Sequence, residues 1–286
     1  MYTKTVYTLL IIGCYLSLLS YNNTDKEIPQ INIANTDVVT KTKEPDVTTT
    51  YDTITKTIHV FVALCDNKYQ GIVPVPASIG NGQDCKNNLY WGCGYGIRTY
   101  FKKSPDWKLI KILPKDGNIL ERLIFKHTSK QNQYLVADAY DGQYIKQCTK
   151  DFLRCSAGQQ KSTLKVNNVT IGIGGNAQLL AYIGHNGLMD FSIGESYKNT
   201  DGKKRDVIIL ACYSKMYFEP HLKAANVNPL VWTSHLMCPE AYTIHDAITG
   251  YLKNESNEAI RLRAAKAYAK YQKCSEKAAR NLLITN

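Results

Sequence analysis

QLLAYIGHNGLMDFSIGESYKNTDGKKRDVIILACYS, residues 178–214, decides how the chain is read. Two apolar runs within it, Gln178–Gly184 and Asp206–Ala211, are too short for core helices. Both are rich enough in branched and aromatic residues to be buried strands. The first delivers His185 and the second Cys212, 27 residues later, which leaves enough chain for a crossover between parallel neighbours of one sheet. In open α/β sheets the functional crevice lies beyond the carboxyl ends of the strands, where both side chains are expected.

The flanking chain supplies the rest of such a sheet. Ile58–Leu64, Trp107–Leu113, Tyr134–Tyr140 and Pro229–Ser234 read as further strands. Helices are expected over Leu89–Lys103, Gln143–Ser156, Tyr213–Ala225, Pro239–Leu252 and Asn257–Leu283, where apolar residues recur at helical spacing. Gly92, Gly94 and Gly96 weaken the first of these, and Pro220 interrupts the third. Ile119–Thr128 fits a short helix or an edge strand, and the Asn167-Asn168 pair suits a hairpin between Gln159 and Asn176. The segment from Lys68 to Asn88 carries Pro74, Pro76 and a cluster of turn formers, so it is a loop beside the crevice. Alternation of strands with helices implies a mostly parallel sheet covered on both faces.

Composition bounds the function. The 286 residues are 44% hydrophobic, ample for a core, and carry a formal charge of +11 with a pI near 9.1. That charge favours anionic surfaces such as lipid, envelope polymer or acidic protein. Nucleic acid is not expected as a partner, because no binding motif accompanies the charge. The amino terminus, MYTKTVYTLLIIGCYLSLLS, joins Lys4 to an apolar run shorter than a membrane span, the pattern of a signal peptide. Ile11-Ile12-Gly13-Cys14 also has the form of a lipobox. The expected layout is a signal peptide or lipoprotein signal over 1–20, a polar spacer over 21–56 and one α/β domain over 57–286. The protein is then exported: periplasmic, anchored to the outer membrane as a lipoprotein, or secreted.

Eight of the nine cysteines lie beyond the leader, an even number that in an exported chain suggests four bridges. A thiolate at Cys212 would leave seven for pairing. Cys148 and Cys155, seven residues apart on one helix, are separated by roughly 10 Å of rise and cannot bond to each other. No Cys or His cluster has zinc-ligand spacing, so neither a metal nor another cofactor is expected.

The chemistry follows from the pair. A neighbouring imidazole lowers the pKa of a thiol and carries its proton to a leaving group. Gly184 and Gly187 flank His185, allowing a tight turn, and the amides of Gly187 and Cys212 are candidate oxyanion donors. Asp66, Asp190, Ser234, His235 and Glu240 are candidate substrate-binding or orienting residues around the crevice. His235 and His245 compete with His185 as bases.

An apolar strand ending in a glycine-flanked histidine, followed by one ending Ala211-Cys212, resembles the caspase, legumain and gingipain group of cysteine peptidases. PLVWTSHLMCPEAYTIHDAITGYL, residues 229–252, is similar to the strand, loop and helix that follow the nucleophile there. The resemblance implies a three-layer caspase-like fold with a mostly parallel six-stranded sheet flanked by helices. It also implies a His185–Cys212 dyad that hydrolyses a peptide bond through a thioester. Asn186 stands where the group usually has glycine after the histidine, and Leu210 replaces its acidic or glutamine residue before Ala-Cys. Two other readings remain open: an exported binding protein that keeps the fold without the reaction, and a cysteine amidase acting on envelope polymers.

Overall fold

The computed structural model describes residues 51–286; the expected leader, Cys14 and most of the expected spacer lie outside the described residues. Among the described residues ten strands form one eight-stranded sheet and a separate hairpin. Five strands run parallel: β4 (Gln133–Tyr140), β1 (Lys56–Ala63), β7 (Leu179–Gly184), β8 (Asp206–Leu210) and β9 (Asn228–Thr233), adjacent in that order. β3 (Ile119–His127) and β2 (Trp107–Leu113) extend the β4 edge antiparallel, and the two-residue β10 (Leu283–Ile284) closes the β9 edge antiparallel. The sheet is therefore larger than the six strands expected, because Ile119–His127 is a strand and the chain end adds another. β1 starts at Lys56, and the Asp52 amide already bonds the Thr170 carbonyl.

The central strands are buried on both faces, as parallel strands must be when helices cover each side. Phe61, Ala63, Leu180, Tyr182, Val207 and Ile209 join one core cluster with Cys148 and Phe152 of α2 (Ile145–Ser156) and Phe218 of α3 (Ser214–Leu222). The alternating residues Val60, Val62, Ala181, Ile183, Ile208 and Leu210 are equally buried and face the other way. There α1 (Ile97–Lys103), α4 (Ala241–Leu252) and α5 (Asn257–Gln272) form the second helical layer, α4 packing on both of the others. Among the described residues no helix is long and apolar enough to cross a membrane.

Two expected helices are corrected. Leu89–Lys103 is helical only from Ile97, because a side chain at Gly92 or Gly96 would strike the backbone of Lys86 or Trp91; tight turns occupy this stretch instead. Asn257–Leu283 breaks at Lys273, whose φ of 57° reverses the chain before α6 (Glu276–Leu282), capped by the Ser275 side chain on the Ala278 amide. Pro220 stays inside α3 without ending it. The Asn167 turn, at φ 54°, closes a hairpin of β5 (Lys161–Val166) and β6 (Val169–Gly174).

A buried charge network holds that hairpin to the sheet. Arg122 and Asp138 are direct cross-strand partners on β3 and β4, with the guanidinium donating to both carboxylate oxygens at 2.5 and 2.6 Å. His59 Nε2 meets Asp138 Oδ2 at 2.9 Å, while its Nδ1 accepts the Gly174 amide at 3.0 Å. Burial alone would push the Asp138 carboxyl up; His59 and Arg122 outweigh it and hold the group below the usual range. A depressed carboxylate stabilises the fold above its unfolded pKa of about 3.9, and that contribution fades as pH falls through the lower folded value. Asp138→Ala is expected to cost about 3–5 kcal/mol in urea unfolding at pH 7 by stranding Arg122. The deficit relative to wild type should shrink at pH 3 and below.

Candidate active site at the ends of β7 and β8

The register of β7 against β8 sets the site. Ile183 pairs with Leu210, so His185 and Cys212 each stand two residues beyond a matched pair of neighbouring parallel strands. Gly184 makes this exit possible. Its φ is 137°, and a side chain there would strike the Ala63 carbonyl of β1. The Asn186 side chain then ties the two strand ends together, its Nδ2 donating to the Cys212 carbonyl at 2.7 Å and its Oδ1 accepting the Leu188 amide. Asn186 is fully buried, so both bonds act away from competing water.

His185 is 7% exposed, and its Nε2 lies 2.7 Å from Asp190 Oδ2. The Gly187–Met189 turn between them brings the carboxylate back onto the ring within five residues. Asp190 also accepts the Gly71 amide at 2.9 Å, from the loop after β1. Partial burial would raise this carboxyl, but His185 and the Gly71 amide hold it below its ordinary value, so it stays a charged acceptor at neutral pH. The proton of the His185–Asp190 bond sits on Nε2, which leaves Nδ1 as the basic ring nitrogen.

Cys212 sits at a sharp turn from strand to helix. Tyr213, the next residue, is left-handed at φ 49°, a conformation that costs a non-glycine residue of order 1 kcal/mol and persists only where neighbours impose it. Its amide donates to the His235 carbonyl, the Ser214 amide to Thr233 Oγ1, Ser214 Oγ to the Ile209 carbonyl and Thr233 Oγ1 to the Ala211 carbonyl. The Cys212 residue is partly exposed at the bend. The Met237 amide donates to its sulfur at 3.4 Å, and the Met237 carbonyl lies 3.6 Å from it.

Other cysteines differ in setting. Cys65, at the end of β1, is fully buried and its thiol is pushed up to about 12, chiefly by burial. Burial likewise raises Cys85 to about 12, and lifts Cys93, Cys148, Cys155 and Cys274. These six are free thiols, so the four-bridge framework expected of the sequence is not formed; Cys148 and Cys155 instead fill the α2 core.

The remaining expected site residues divide. Asp190 reaches His185, and His235 stands beside the site through its carbonyl on the Tyr213 amide and its ring 5.9 Å from that of Tyr213. Ser234 turns away, hydrogen-bonding His235 Nδ1 and the carbonyls of Asn281 and Leu282. Asp66 is 2% exposed and organises its own loop, accepting the Lys68 and Tyr69 amides and the Gln83 side chain, so it offers little to a substrate. Glu240 is buried at the start of α4, where burial raises its carboxyl against hydrogen bonds from Tyr242 and Gln272. The Gly187 amide, expected as an oxyanion donor, lies near the Tyr182 hydroxyl, which itself donates to the His185 carbonyl at 2.8 Å. Two tyrosines of the surroundings, Tyr90 and Tyr268, are raised chiefly by burial and also by the nearby cysteines, Cys212 among them. Nothing local in the sequence marked these two. The His245 expected to compete as a base lies elsewhere, on α4 against Ser104. A cavity of about 430 Å³ lies within the loop before α1, lined by Asn81, Asp84, Lys86 and Cys93 among others and not by the His185–Cys212 pair.

No family model, no curated protein and no solved structure matches the chain. The site is therefore read from its own geometry.

Thr233→Val removes a hydroxyl used by Ser214 and Ala211 and is expected to cost about 1–3 kcal/mol in urea unfolding. Tyr213→Gly is expected to stay within about 1 kcal/mol of wild type, since glycine adopts the same backbone conformation without strain.

Proposed function

We propose that the protein is an exported cysteine hydrolase, a peptidase in which Cys212 is the nucleophile, His185 the general base and acid, and Asp190 the group that orients His185. One observation carries this reading: a histidine held by a carboxylate and a cysteine set at a strained turn occupy matched ends of adjacent parallel strands. The Cys212 thiol gives its proton to His185 Nδ1, and the sulfur attacks the substrate carbonyl carbon. The tetrahedral intermediate collapses as the amine leaves with the proton returned by His185. Water, deprotonated by His185, then hydrolyses the thioester, releasing the acid and restoring the thiol.

The strand-to-helix bend at Tyr213 supports the assignment of nucleophile, because strain at such a bend presents a side chain at the tip of the sheet. The five parallel strands β4, β1, β7, β8 and β9, which with β2 are the six strands expected, support the caspase, legumain and gingipain likeness as a proposal about ancestry of the fold; β3 and β10 would be additions to it. The substrate is then a peptide or protein, and the net positive charge favours an anionic envelope setting. A second reading, a binding protein without the reaction, gains from the Tyr182 hydroxyl lying near the Gly187 amide, where it competes for one expected oxyanion donor. The amidase reading uses the same pair of residues and differs only in substrate.

Labelling with iodoacetamide at pH 7, mapped by mass spectrometry, separates the first two readings. Cys212 is expected to label first, since burial raises the other described thiols named above, with exposed Cys274 the main competitor. His185→Ala is expected to slow labelling of Cys212 by tenfold or more, on the order expected for loss of a general base. Asp190→Asn should slow it less. Equal labelling of Cys212 and Cys274 in wild type, unaffected by His185→Ala, would rule out the hydrolase.

A further inference from the structure

A second cluster of reactive groups lies on the other helical layer, away from the β7–β8 strand ends. We propose that Ser104, His245 and Asp246 form a serine esterase site that opens into the cavity beside them. Ser104 follows α1 and its Oγ lies 2.8 Å from His245 Nε2. His245 Nδ1 lies 3.2 Å from Asp246 Oδ1.

The hydrogen bonds fix the direction of each proton. Asp246 is an acceptor, so His245 carries its proton on Nδ1 and presents Nε2 as the base. Ser104 Oγ accepts the Asp106 amide at 3.2 Å, which leaves its single proton for Nε2. This is the arrangement in which a serine hydroxyl is activated by a histidine that a carboxylate orients. The His245 ring is held in place by Tyr100 and Phe101, whose ring centroids lie 5.4 and 5.3 Å away. Asp106, with an oxygen 4.0 Å from Nε2, supplies a second carboxylate on the side of the serine.

A hydroxyl and a base also need somewhere for a substrate to sit. Ser104 and His245 line a cavity of about 320 Å³ together with Tyr95, Tyr100, Lys103 and Pro105. The Tyr95 ring is 41% exposed and stacks edge-on against Tyr242 and Tyr271, so its orientation is set from behind while it remains open to solvent. Tyrosine faces and a proline suit a flat aromatic group, and the Lys103 ammonium suits an anionic substituent on it. The substrate class is a small aryl ester bearing a negative charge.

In the reaction Ser104 Oγ attacks the ester carbonyl and its proton passes to His245 Nε2. The ester C–O bond breaks and the phenolic oxygen leaves with that proton. Water then hydrolyses the acyl-serine with His245 again as base, so that ester and water yield acid and phenol.

The test uses a fluorophosphonate, which forms an Oγ–P bond at an activated serine as its P–F bond breaks and fluoride leaves. Wild type and Cys212→Ala are both expected to carry the adduct on Ser104, located by mass spectrometry. Ser104→Ala should carry none there, and His245→Gln should react on the order of a hundredfold more slowly. Hydrolysis of 4-acetoxybenzoate in the Cys212→Ala background should depend on Ser104, and Lys103→Met should raise its KM. Circular dichroism matching wild type shows that each variant is folded. Absence of a Ser104 adduct in folded wild type would overturn the proposal, as would an equal rate in His245→Gln. Loss of thiol reactivity at Cys212 would leave it standing, so the two sites fail independently.

Discussion

Parallel pairing of β7 with β8 is the constraint on which the candidate site depends. A parallel ladder has a single register once each strand's core-facing residues are buried, because a one-residue slip would exchange the two faces. Ile183 opposite Leu210 therefore determines where the chain is when it leaves the sheet, and His185 and Cys212 leave it level with each other. The Asn186 side chain on the Cys212 carbonyl carries this alignment two residues beyond the last ladder bond. Without that bridge the ends would be two loops with ordinary loop freedom.

The polar groups near the strand ends are engaged in holding geometry, which distinguishes the ones available for chemistry. Asp66 is consumed by its loop, Ser234 by the chain end, Glu240 by Tyr242 and Gln272, and Thr233 and Ser214 by the bend after Cys212. Burial does the same to Cys65, which ends a parallel strand as Cys212 does yet lies fully inside, where forming a thiolate is costly. Position at a strand end is thus insufficient. What separates Cys212 from Cys65 is partial exposure at a turn, and what separates His185 from His235 is a carboxylate on its ring.

How far the fold was legible follows from how local its causes are. Trp107–Leu113 reads as a strand and is one over the same residues, because a short run rich in branched apolar residues and ended by a proline needs no distant partner to be recognised. Leu89–Lys103 has helical spacing but is mostly turns, because Gly92 and Gly96 are there to let the chain touch the backbone of Lys86 and Trp91, a contact invisible to periodicity. Asn257–Leu283 has helical spacing throughout, yet the chain turns at Lys273 and the register of burial changes with it: Ile260, Ala264 and Ala267 are buried before the turn, whereas after it Cys274 and Ala278 are exposed and Ala279 is buried. Leu283 and Ile284 become a strand only because the β9 edge is open beside them.

The sequence by itself determined that short buried strands alternate with helices and that one of them ends in histidine and another in cysteine, because hydrophobic period and strand length are properties of neighbouring residues. It also carried the His185–Asp190 pair, five residues apart on one turn. The tertiary structure decided the rest: the eight-strand order, the Asn186 bridge, the strained backbone at Tyr213, the loss of Asp66 and Glu240 to internal bonds, and the meeting of Ser104 with His245 across 141 residues. Asp66 and Glu240 also make bonds within three residues, but their contacts with Gln83 and Gln272, like the other features named, join segments apart in the chain, and which segments meet is set by how the layers pack, a quantity that no local pattern encodes.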